Sequence, residues 1–78
     1  MGEGFICKPV EPERAQELHD VATEWLTRNG DANIKIVETT LVYSNVQGYF
    51  YTVEFESDAG SGMLEIVGEN GEWIAKEV

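Results

Sequence analysis

Apolar residues recur along this chain with two different periods, and the change from one to the other divides it into a helix and a set of strands. Ala15, Leu18, Ala22, Trp25, Leu26 and Asn29 follow one another at three- and four-residue steps, with Val21 beside them, while Glu13, Glu17, Asp20, Glu24 and Thr27 fall mainly on the opposite side. That spacing predicts an amphipathic helix over residues 12–29. Pro12 suits its first position because the ring fixes φ, and Glu11 and Glu13 place negative charge at the positive end of the helix dipole. Arg28 lies in the last turn, and Asn29-Gly30 supplies the stop.

Past Gly30-Asp31-Ala32 the period falls to two. Ile34 and Ile36 share one parity, whereas Val37, Thr39, Leu41 and Tyr43 share the other, so the apolar face switches sides and predicts a β-bulge near Ile36 and Val37. The next strand alternates without interruption. Tyr49, Tyr51, Val53 and Phe55 point one way, and Phe50, Thr52, Glu54 and Glu56 the other. Ser44-Asn45-Val46-Gln47-Gly48 is read as the loop between these strands, and Ser57 to Gly62 as the following turn. Met63 to Val67 makes a further strand. Gly68-Glu69-Asn70-Gly71 is a hairpin whose Asn-Gly pair fits a type I′ turn, and Glu72 to Val78 closes the chain. Residues 4–9 are apolar enough for a short first strand ended by Pro9. Short connections make sequential strands antiparallel neighbours. The expectation is an α+β fold: one helix on a curved antiparallel sheet of four or five strands, in the order strand, helix, then a four-stranded meander.

Length and charge narrow what such a fold can do. Seventy-eight residues fit a single domain over 1–78. A chain this short buries only about 60% of its unfolded surface, which leaves little room for deep clefts. Cys7 is the one cysteine, so an internal disulfide is excluded, and a cytoplasmic setting is expected from that count and from the absence of a signal-like or membrane-length apolar run. Fifteen acidic residues against five basic ones give a net charge of −10, which repels phosphates and anionic membranes, so neither nucleic acid nor membrane is an expected partner. Solubility, attraction to a basic partner (including mimicry of nucleic acid) and adaptation to high salt all fit that charge.

Candidate chemistry is sparse. His19 is the only histidine and falls at the edge of the buried stripe. Cys7 is conceivable as a nucleophile activated by His19, but nothing in the sequence orients the pair, and a small residue packed in an edge strand is the plainer reading. One His and one Cys cannot form a structural zinc site, and the carboxylates lack the spacing of a calcium loop. Gly60-Ser61-Gly62 precedes no helix that could present amides to a phosphate. The expectation is a non-catalytic binding protein without metal or cofactor. Its aromatic residues are more suggestive: Phe50 lies opposite the main apolar face, and Trp73 directly follows a hairpin turn, where it either closes the core or serves recognition.

The order of elements, the glycines at Gly2 and Gly4, the run from Lys8-Pro9 into Pro12-Glu13, and a helix with Gln16-Glu17 and Asp20 together resemble the cystatins, most closely the small disulfide-free stefins. Ser44-Asn45-Val46-Gln47-Gly48, before Tyr49-Phe50-Tyr51, stands in the place of that family's Gln-Val-Val-Ala-Gly hairpin. Val46 and Gly48 match it, and Ser44 replaces the glutamine. The resemblance implies a wedge that blocks the cleft of a papain-like cysteine protease, with contact residues Gly4, Val46, Gln47, Gly48 and Trp73. Two alternatives stand beside it: a homodimer built on edge strands or the Phe50 face, and an acidic inhibitor of a basic protein.

Overall fold

The computed structural model describes residues 5–78, which form β1 (Phe5–Pro9), α1 (Pro12–Arg28), β2 (Lys35–Ser44), β3 (Gly48–Ser57), β4 (Gly60–Glu69) and β5 (Glu72–Glu77). The five strands make one antiparallel sheet in the order β1-β2-β3-β4-β5, with the helix packed on one face. The α+β class expected from the two periods is therefore observed. No described helix is long and apolar enough to cross a membrane.

The helix begins and ends for local reasons. Glu11 holds extended backbone as the N-cap, and Pro12 follows at the first helical position. At the other end Gly30 takes φ +93°; its N–H donates to the Thr27 carbonyl (3.1 Å) and that of Asp31 to the Leu26 carbonyl (3.0 Å). This is the Schellman pattern, which satisfies carbonyls the helix would otherwise leave open. Asn29 does not belong to the buried stripe. It is exposed and caps the helix, its side-chain amide donating to the Trp25 carbonyl at 2.7 Å.

Leu18, Ala22 and Leu26 are the fully buried positions of α1, and they meet Val53, Phe55, Leu64 and Ile66 of β3 and β4. Burial of a large aliphatic or aromatic side chain contributes about 1.5–3 kcal/mol, so this small cluster carries most of the apolar stabilisation. Val10, Val21, Trp25, Ile34, Ile36, Tyr51, Trp73 and Ala75 surround it.

The bulge lies where the parity switch puts it. Register passes from Ile36↔Phe55 to Glu38↔Glu54, leaving Val37 as the extra residue, half exposed at 51%. The insertion keeps Ile36 and then Thr39, Leu41 and Tyr43 on the helix side of the sheet. Asn70 (φ 52°) and Gly71 (φ 80°) form the two-residue turn between Glu69 and Glu72, with positive φ at both central positions as a type I′ turn requires.

Several strand boundaries move outward from the sequence reading. Ser44 ends β2 instead of opening a loop, and Gly68 and Glu69 remain in β4. Only Asp58 and Ala59 separate the Ser57↔Gly60 pair, so Gly60, Ser61 and Gly62 are strand residues. Gly62 has a packing role, because a Cβ there would lie 2.8 Å from Cζ of Phe55. The Phe55 ring occupies the space over that glycine.

Candidate functional site

The strand directions bring one end of the sheet together. Phe5 pairs with Ser44, so β1 starts at the end where β2 turns into β3. The shared register of β3 and β4 runs from Ser57↔Gly60 to Tyr51↔Ile66. Beyond it, β3 reaches back to Gly48 alongside β2, and β4 continues to Glu69 alongside β5. Two hairpin arms and the start of β1 therefore project from one edge.

The first arm ends in a turn held by its own side chain. Ser44 is 2% exposed, and its Oγ accepts the N–H groups of Val46 (3.1 Å) and Gln47 (3.3 Å). A hydroxyl that ties down two amides stiffens a short turn, which lowers the entropy lost when a partner orders it. Gly48 closes the turn at φ +77°, a conformation that strongly favours glycine. Val46 stands at the tip, 70% exposed. Behind it Tyr49 is 69% exposed, its ring tilted against that of Tyr43 with centroids 4.8 Å apart.

Trp73 is placed differently. It is half-buried on the helix side, directly across from Gly68, where a Cβ would come within 3.4 Å of its ring. Its Nε1 donates to Oε2 of Glu17 at 3.0 Å, and the Arg14 guanidinium sits 5.2 Å from the ring. Arg14 in turn pairs with Glu17 (3.3 Å), and Tyr51 meets the indole edge-on at 5.8 Å. The tryptophan thus fastens the second arm to the start of α1. Of the expected contact residues, Val46, Gln47 and Gly48 share one exposed turn, Trp73 stands on the neighbouring arm, and Gly4 lies outside the described residues.

Sequence reasoning missed the shelf behind the first tip. Ile6, Lys8, Leu41, Tyr43 and Tyr49 line an open cavity of about 140 Å³, and Lys8 and Leu41 also line a larger one of about 360 Å³ with Pro9, Val10, Glu11, Arg14 and Tyr51. The shelf lies beyond the core: Tyr51 packs against the cluster under α1, whereas Tyr43 and Tyr49, farther along the same face, do not. Strand alternation alone assigns Tyr49 to the core face and says nothing about where the helix ends.

The conceivable Cys7–His19 pair is not assembled. Cys7 pairs with Val42, on the sheet face away from the helix, whereas His19 Nε2 lies 3.0 Å from Thr39 Oγ1 on the helix side. Cys7 is also exposed in its edge strand, not packed within it. Among the described residues, no group of three or more His, Cys, Asp or Glu is placed to hold a metal ion. The chain matches no protein-family model, no curated protein and no solved structure.

Proposed function

We propose that this chain is a small protein-binding module that engages its partner with the edge where the two hairpin arms and the start of β1 project together. The observation that carries this reading is the Ser44-braced turn, which holds Val46 out at the tip beside exposed Tyr49. A stiff apolar tip with an aromatic shelf behind it offers a partner contact area at small entropic cost. The specific case is a cystatin-like inhibitor, for which the strand–helix–four-strand order and the matches at Val46 and Gly48 speak. In that mode Val46, Gln47 and Gly48 enter the cleft of a papain-like cysteine protease with the Trp73 arm beside them, and Gly4 is the further contact that the resemblance implies. Blocking by occupancy asks for no nucleophile, metal or cofactor.

Titration of papain with the protein tests the specific case. Loss of protease activity that the Val46→Asp variant fails to produce supports it; full activity at micromolar protein removes it. The broader reading is tested by whether Val46→Asp weakens whatever partner co-purifies from the native cell while leaving the fold intact.

A further inference from the structure

The sheet face away from the helix carries one apolar side chain from each of the five strands at a single level. Cys7 stands opposite Val42, Val42 opposite Phe50, and Val67 opposite Ile74. The adjoining Tyr51↔Ile66 pair sets Phe50 beside Val67 and completes the stripe. Only Val42, on the second of the five strands, is buried. Phe50 and Val67 are half-buried, Cys7 is exposed, and Ile74 is 46% exposed.

Carboxylates flank this stripe, on β4 and β5 toward the hairpin tips and on β2, β3 and β4 toward the other end. Toward the hairpin tips Glu69 and Glu72 face each other on the same surface. Toward the opposite end, past Thr40 and Thr52, stand Glu65, the directly opposed pair Glu38 and Glu54 with Met63 across from Glu54, and Glu56. The cations on this face are Lys76, whose Nζ is 3.9 Å from Glu65, and Lys35, which pairs across the sheet with Glu56.

An apolar stripe between two acidic borders selects its own cover. A second copy would set the same carboxylates against these and add its own charge of −10, so like charge opposes self-association through this face. Phosphates and anionic lipids are repelled for the same reason. A segment with an apolar stripe flanked by lysine or arginine matches both features. Five strands at a spacing of about 4.8 Å span about 19 Å, the length of roughly 13 helical residues at 1.5 Å each. We propose that this face binds a cationic amphipathic helix of about that length, supplied by another protein and laid across the strands over Val42, Phe50, Val67 and Ile74.

The probe is a synthetic leucine–lysine peptide of about that length, with leucines at helical spacing. It is titrated into the isotopically labelled protein and followed through backbone amide shifts. Shifts are expected to gather on Cys7, Val42, Phe50, Val67 and Ile74, and binding to weaken with added salt. A peptide of the same composition with its leucines scrambled is expected to bind at least about tenfold more weakly, as is the native peptide to Ile74→Glu. Ile74 is exposed enough that this variant keeps its fold; Phe50→Ser gives the same loss if it also folds. Val46→Asp leaves peptide binding unchanged, which separates this face from the hairpin edge.

Equal affinity for the scrambled peptide overturns the proposal, because net charge alone would then explain binding. So do shifts confined to the helix side or the Ser44–Gly48 turn, or a folded Ile74→Glu that binds as well as the parent. A concentration-dependent dimer that Ile74→Glu disperses would assign the stripe to a second copy and overturn it too.

Discussion

Ile66 and Ile74 belong to neighbouring strands of one sheet, yet one is sealed under the helix and the other is nearly half exposed on the far side. The same contrast runs through the two faces. Under α1, Val53, Phe55, Leu64 and Ile66 meet Leu18, Ala22 and Leu26, and all seven are buried. On the far face, one level carries an apolar side chain from every strand, Met63 lies apart from it opposite Glu54, and glutamates stand toward either end. Apolar area removed from water stabilises in proportion to its extent. The covered face therefore holds the fold together, whereas the open face leaves surface that a partner can still bury.

The largest effect that tests this division is expected from Leu64→Ala, which opens a cavity on the covered face at a cost of about 2–5 kcal/mol. Such a loss is comparable to the ~3–5 kcal/mol that a core of this size supplies, so urea denaturation should find the variant largely unfolded. A midpoint close to that of the parent would mean the helix face is not the main source of stability.

Next in size is Gly62→Ala, whose Cβ would meet the Phe55 ring at 2.8 Å. Overpacking of this kind costs about 1–3 kcal/mol, and a thermal melt should show a clear drop. An unchanged melt would show that Phe55 swings aside freely and that the covered face is looser than its packing implies.

The smallest effect belongs to the open face. Glu38 and Glu54 face each other directly across β2 and β3. Opposed like charges are unfavourable, so Glu38→Lys should stabilise by about 0.2–1 kcal/mol and reduce the gain in stability that salt gives the parent. Destabilisation would show that the acidic border has a structural task beyond partner attraction.

The helix, the bulge and the Asn70-Gly71 turn were legible in the sequence because each is written in local spacing or local backbone chemistry. The parity switch at Val37 needs no knowledge of the partner strand, and Asn-Gly carries its turn type with it. Positions whose meaning depends on a distant group were not legible. Gly62 reads as a turn glycine until the Phe55 ring is seen above it. Asn29 keeps the helical period but caps the helix because Gly30 bends the chain away just beyond it. Trp73 and Ile74 are adjacent and both apolar, so periodicity cannot say which faces the helix; the pairing of Gly68 with Trp73 and the Glu17 hydrogen bond decide it. At the candidate edge, the exposed Val46 turn could be read from sequence, but the shelf of Ile6, Tyr43 and Tyr49 could not, because it depends on where the helix stops covering the sheet.

The most direct test makes one substitution on both faces and compares the urea midpoints. Ile66→Ala is expected to cost about 2–5 kcal/mol and Ile74→Ala less than about 1 kcal/mol, although the two side chains are identical and their strands adjacent. Equal losses at the two positions would contradict the division of the sheet into a face that holds the fold and a face left for a partner.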